Sequence, residues 1–213
     1  MMNLKNLLTL LAICFAAVFF TSCEKEPEPK KIPSPPNKPE GVVINGIRWA
    51  TCNVGAQGAF VLNPEAQGNF YAWEDAPDAC PDFDGWRLPT DAELASLADA
   101  PSEWVSVNGV KGRVFGNDTN IIFLPAAAYR SYGGTTGDVG YVGHYWSSTE
   151  ANEPLAYYLN FNSAGVFPPD VRKPDSRRNR AFEFSIRCVT DVDLTPIPIP
   201  NPEPEPEPEP DEE

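Results

Sequence analysis

The sequence predicts an α+β fold of mostly short antiparallel strands with two short helices, flanked by disordered Pro-rich ends. Three observations carry this expectation. Asn-Gly pairs stand between apolar runs at Asn45-Gly46 and Asn108-Gly109, and that dipeptide supplies the two left-handed residues of a tight hairpin turn. One stretch opens on Thr90-Asp-Ala-Glu93, the spacing of a helix capping box. Prolines crowd residues 24–40 and recur at every second position from Pro196 to Pro210, a composition that cannot bury a core.

From the amino terminus, Lys5 precedes an apolar run, Leu7 to Phe20, with Thr9 as its only polar residue, and Thr21-Ser22-Cys23 follows. This has the form of a secretory signal and is too short to span a hydrocarbon core, which needs about 20 residues. The small residues before Cys23 resemble a lipobox, with Phe20 where leucine is usual. Residues 1–22 are therefore expected to be a lipoprotein signal peptide, with cleavage before Cys23 and acylation of that cysteine. Several acyl chains, at about 0.8 kcal/mol per buried CH₂, give stable membrane anchoring. Glu24-Lys25-Glu26-Pro27-Glu28 resembles the surface-export signal of Bacteroidetes-type lipoproteins, which implies an outer-membrane location facing the exterior; an ordinary charged linker would read the same way. Residues 23–40 form the lipidated Pro/charged linker, extended at about 3.1 Å per residue and reaching roughly 50 Å.

Residues 41–190 form the one expected domain, large enough to bury roughly 70% of its unfolded surface. Hairpins are predicted around Asn45-Gly46 and Asn108-Gly109, and further strands at Ile121–Leu124, Tyr145–Ser148, Ala156–Phe161 and Ala181–Val189. In the last, Phe182, Phe184 and Ile186 face one way and Glu183, Ser185 and Arg187 the other, the alternation of a half-buried strand. The capped helix runs from Thr90 to about Asp99, with Leu94, Leu97 and Ala98 inward and Pro101 as its stop. A first, shorter helix of one or two turns is expected within Asn69–Ala79. Residues 191–213 are a disordered Pro/Glu tail, stiff and self-repelling.

Phe70–Cys80, followed by Gly85-Trp-Arg-Leu-Pro-Thr-Asp-Ala-Glu-Leu94, resembles the opening of a C-type lectin-like domain. The closer similarity is to the Fibrobacter succinogenes major paralogous domain family, whose Cys-Pro-x-Gly-Trp run is here lengthened by Phe83 and Asp84. Matching features recur at Tyr145-Trp-Ser-Ser-Thr-Glu150 and Phe184-Ser-Ile-Arg-Cys-Val189. The resemblance implies a compact bacterial surface domain with a disulfide between Cys80 and Cys188. Cys52 reads as a small buried thiol, with a bridge to Cys80 or to another molecule as alternatives.

The net charge of −14 divides unevenly, because residues 41–190 hold 17 acidic and 11 basic side chains while Asp191–Glu213 holds nine acidic and no basic ones. This balance argues against a nucleic-acid partner, which needs a sustained cationic surface. His144 is the only histidine, so a zinc site with two imidazoles is excluded. Asp82 with Asp84, Glu74 with Asp75, and Glu150 with Glu153 are carboxylate pairs that turn and cap roles explain. The Trp86–Glu93 run also resembles formylglycine-generating enzymes, but the cysteine pair that such oxidases use for copper is missing. The Glu-Pro-Asn, Gln-Pro-Asp and Trp-Asn-Asp runs of calcium-dependent lectins are likewise absent. No catalytic residue, cofactor or metal site is read from the chain.

Recognition is expected on two segments, since loops on a rigid sheet carry variable contacts. In the first, Tyr129, Arg130, Tyr132, Tyr141 and Tyr145 surround a glycine-rich stretch; tyrosine and arginine are favoured interface anchors, and aromatic faces can stack on sugars. The second, Phe167 to Arg180, carries Arg177 and Arg178 and suits an anionic partner. The function this implies is a cell-surface lipoprotein acting in adhesion or in recognition of a glycan or protein ligand. A structural subunit of a surface assembly is the alternative.

Overall fold

A computed structural model describes residues 29–32, 38, 40–170, 172 and 177–191. The expected signal peptide, the expected acylation at Cys23, the segment resembling an export signal and the Pro/Glu tail beyond Asp191 lie outside the described residues. In chain order the first elements are β1 (Lys30–Ile32), β2 (Val42–Ile44), β3 (Ile47–Trp49), β4 (Tyr71–Ala72), a 3-10 turn (Trp73–Asp75) and α1 (Asp91–Ala98). Then come β5 (Ser102–Val107), β6 (Val110–Asn117), β7 (Asn120–Pro125), β8 (Tyr129–Arg130) and β9 (Thr136–Gly137). The chain closes with β10 (Val142–Asn152), β11 (Leu155–Asn162), β12 (Val166–Phe167), β13 (Arg177–Asn179), β14 (Glu183–Phe184) and β15 (Val189–Thr190). Four small sheets result, ordered β1-β5-β6-β7, β10-β11-β12 with β13 also on β11, β4-β14-β8-β9, and β15-β3-β2. The fold is α+β and mostly antiparallel sheet.

Both Asn-Gly turns form as their chemistry dictates. Asn45 and Gly46 take φ of 50° and 80°, Asn108 and Gly109 take 49° and 86°, and tight hairpins join β2 to β3 and β5 to β6. The α1 capping box is complete: the Thr90 side chain accepts from Glu93 N at 3.2 Å, and the Glu93 carboxylate accepts from Thr90 N at 2.7 Å. Leu94 and Leu97 are buried beneath the helix among Trp49, Phe115, Leu159 and Phe161, each such side chain contributing about 1.5–3 kcal/mol when fully buried.

Three expectations are corrected. The segment Asn69–Ala79 supplies only the 3-10 turn Trp73–Asp75, so among the described residues there is one α-helix and not two; Pro77 lacks the N–H that a longer helix needs there. The linker is not a free spacer throughout, because Lys30–Ile32 pairs in parallel with Val105–Val107 of β5. Ile32 packs on Val105, Val107 and Phe123, and burying that apolar edge fastens the segment to the sheet. Finally, Ala181–Val189 is not one half-buried strand. Only Glu183–Phe184 and Val189–Thr190 pair as strands, and Ser185 and Arg187 are as buried as Phe184 and Ile186. This segment runs between two clusters and is covered on both faces.

The second cluster gathers Trp86, Trp146, Tyr158, Phe184 and Ile186 around a disulfide between Cys80 and Cys188. Cys52 is a free, buried thiol, whose pKa burial pushes up. Above the disulfide, Arg87 clasps the helix start to the chain end. Its guanidinium donates to both Glu93 oxygens at 2.9 and 2.7 Å and to Asp191 at 3.1 and 2.6 Å, while its backbone exchanges hydrogen bonds with Val189. Burial alone would raise the Glu93 carboxyl, but the donors from Arg87 and Thr90 outweigh it and hold its pKa below the usual range. The Trp86–Glu93 run thereby ties the start of α1 to Val189 and Asp191.

Candidate ligand-binding face

The first recognition segment hangs from buried Ala126–Ala128. β8 is held between β14 and β9, and its turn closes through Gly134 N to Ser131 O and Ser131 N to Thr135 O, both at 2.9 Å. Tyr132 stands at this tip, 83% exposed. Beyond β9, Asp138 adopts φ of 60° and its carbonyl accepts from Tyr141 N at 3.0 Å, while Gly140 N and Ala128 N reach Ala126 O and Val142 O at 2.8 Å. These bonds fix the backbone and turn Val139 and Tyr141 outward, 45% and 58% exposed.

Beside Tyr141 lies an open groove of about 330 Å³ lined by Gln67, Val110, Lys111, Ala126, Val139 and Tyr141. The Lys111 ammonium sits 5.3 Å over the Tyr141 ring. Gln67 is pinned from below, because its carbonyl accepts from Asn53 Nδ2 at 2.8 Å. Sequence reasoning missed Gln67, Lys111 and Val139; the Asn108-Gly109 turn locates the β6 strand that carries Lys111, but nothing local marks what faces it.

The other predicted residues divide. Tyr129 and Arg130 are half-buried: the Tyr129 ring meets His144 edge-on at 5.2 Å and Phe182 at 5.8 Å, and Arg130 pairs with Glu183 at 2.6 Å beneath the Phe70 ring. Tyr145 is a correction. It is fully buried, with its hydroxyl donating to Pro125 O at 2.9 Å and accepting from Asn53 Nδ2 at 3.2 Å, so it belongs to the core, and burial pushes its pKa up to about 12. Arg177 lies against Tyr157 where β13 pairs with β11. Arg178 is exposed, 5.9 Å over the Phe182 ring, so Phe182 links it to Tyr129 of the first segment.

His144 is boxed in by Tyr129, Tyr158 and Phe184, stacking on Phe184 at 5.0 Å. Burial and then the Arg178 charge lower its pKa to about 4, against a hydrogen bond with the Ala128 backbone. It is a neutral packing residue at physiological pH. Glu74 and Glu150 flank Arg180 as ion-pair partners, and among the described residues no group of three or more His, Cys, Asp or Glu side chains is placed to hold a metal ion.

No family model, curated protein or solved structure matches the chain. The face is therefore read from its own chemistry: exposed aromatic rings on a stitched backbone, a shallow apolar groove, and one cation at its rim. Groups of these kinds are suited to contact with a ligand.

Proposed function

We propose that the chain is a lipid-anchored surface protein of the outer membrane, held at Cys23, whose C-type lectin-like domain of the Fibrobacter succinogenes major paralogous kind acts in adhesion or in recognition of a glycan or protein ligand. Binding is independent of the calcium site of sugar-binding lectins. The observation that supports this reading is the outward display of Tyr132, Val139 and Tyr141 on turns closed by backbone hydrogen bonds, at Ser131–Thr135 for Tyr132 and through Ala126, Ala128 and Asp138 for Val139 and Tyr141. Exposed aromatic anchors on preorganised loops lose little entropy on binding.

The test joins location to contact. Protease added to intact cells should remove the domain, and a glycan array together with a protein pull-down should give a ligand whose retention falls about tenfold or more in a Tyr132→Ala/Tyr141→Ala double variant. A domain fully protected on intact cells would remove the surface reading. Retention unchanged in the double variant would remove this face from recognition.

A further inference from the structure

The groove beside Tyr141 combines an aromatic wall with a cation that no carboxylate neutralises. The folded region is acidic overall, and several of its described cations are claimed by carboxylates: Lys30 by Glu103, Arg87 by Glu93 and Asp191, Arg130 by Glu183, Arg172 by Asp170, Arg180 by Glu74 and Glu150. Lys111 differs. Half-buried at the end of the β5–β6 hairpin, it makes no ion pair among the described residues, and its ammonium rests over the Tyr141 ring. A cation over an exposed aromatic face is weakly held, and the flexible lysine stem lets it turn to an arriving anion.

We propose that this groove takes a carboxylated sugar unit, its C–H face against the Tyr141 ring and its carboxylate on the Lys111 ammonium; the proposal rests on the binding function above and names its ligand class. Three features favour a sugar over an acidic peptide. The lining beside Tyr141 and Lys111 is made of small residues, Gly109, Val110, Ala126 and Gly140, which leave room for a ring and offer no charged partner to a peptide backbone or its further side chains. The volume of about 330 Å³ sits at the low end of the roughly 300–1,000 Å³ of ligand clefts. Gln67, whose amide both donates and accepts, is the polar partner that ring hydroxyls require, and its backbone is anchored to buried Asn53. When the carboxylate draws the ammonium off Tyr141, the ring face opens for the sugar. One group of the ligand thereby clears the surface that the other uses.

The experiment uses the full-length chain with polygalacturonate, hyaluronate and polysialic acid, each beside its carboxyl-reduced counterpart, and with polyglutamate as the acidic peptide. The expected result is binding to at least one carboxylated polymer, about tenfold or more weaker for its reduced form. Lys111→Gln should impose a similar loss on the carboxylated polymer and leave the reduced one unchanged, Lys111→Arg should retain binding, and Tyr141→Ala should weaken both forms. Equal binding of carboxylated and reduced polymers, indifference to Lys111→Gln, preference for polyglutamate, or no binding to any of the three polymers would each overturn the proposal. Tyr141-dependent retention of a neutral glycan or a protein would sink it while leaving the binding function intact, whereas ligand retention indifferent to Tyr132 and Tyr141 would remove both. Unchanged thermal midpoints of these surface variants separate lost contact from lost fold.

Discussion

Arg187 and Asn53 meet in the interior, 134 residues apart in sequence, with the guanidinium donating to Asn53 Oδ1 at 3.0 and 2.7 Å. Both are fully buried, and among the described residues no carboxylate neutralises the charge. Its remaining donors go to Ala50 O at 3.0 Å and Phe123 O at 2.9 Å. Burial lowers the arginine pKa, yet a guanidinium stays protonated, so these neutral acceptors stand in for water. Asn53 passes the order on, its Nδ2 donating to Tyr145 and to the Gln67 carbonyl at the groove.

Arg187→Met should therefore leave three buried acceptors short of donors and cost about 3 kcal/mol or more, while Asn53→Ala should cost about 2–3 kcal/mol. In urea unfolding the double variant should lose less than the sum of the singles, by about 1–3 kcal/mol. Strict additivity would mean that the two side chains do not act as a unit.

Acid should weaken the fold through His144. Its folded pKa of about 4 lies below the ordinary value of 6.5, so as pH falls the unfolded chain takes up the proton first. The contribution of the neutral ring is full above about pH 6.5, erodes by up to about 1.4 kcal/mol per pH unit, and is gone near pH 4, about 3 kcal/mol in total. His144→Phe keeps a ring against Phe184 and should flatten this part of the stability curve. Denaturation midpoints measured from pH 4 to pH 7 would decide, and an unchanged slope in the variant would assign the acid sensitivity elsewhere.

Loss of the bridge is expected to be costly. Cys80 and Cys188 close a loop across a sequence separation of 108, and a Cys80→Ser/Cys188→Ser variant should lose about 4–5 kcal/mol in the chain-entropy picture. Cys52, being buried, should resist an alkylating reagent in the native protein and react on unfolding. Mass mapping of the labelled thiols checks both statements, and rapid native labelling of Cys52 would contradict its burial.

The amino-terminal strand should matter more than its three residues suggest. Ile32→Asp places a charge against Val105, Val107 and Phe123 and is expected to release β1, at a cost of about 1–3 kcal/mol. Hydrogen exchange at Val105–Val107 should then rise, while the β6–β7 pairing stays protected.

What was legible in the sequence was local chemistry. Asn45-Gly46, Asn108-Gly109 and Thr90–Glu93 act within four residues, so their turns and cap follow from residue type alone. The cysteine pairing was reached by resemblance, and the bridge is present. Arg187 could not be read this way: Ser185 and Arg187 alternate with Phe184 and Ile186 as a solvent face would, because periodicity registers neither Asn53 nor the carbonyls that receive the charge. Tyr145 failed for the same reason, its hydroxyl being satisfied by Pro125 and Asn53. β1 was hidden because Lys30 and Lys31 look like linker and their partner strand lies more than 70 residues away. Of the candidate face, the protruding tyrosines were visible as loop residues, but the groove required β6 to bring Lys111 beside Tyr141.

The small sheet β15-β3-β2 also decides how the molecule answers a pull on its two ends. Val42 and Val189 flank the same residue, Trp49, and both strands run antiparallel to β3, so β2 and β15 are parallel and the chain enters this sheet at one end and leaves it toward the other. Tension would strip the three-residue β1 first and then load this sheet, which Arg87 and the disulfide back up. Tyr132 and Tyr141 belong to none of its strands, so the first load falls on residues that carry no part of the candidate face.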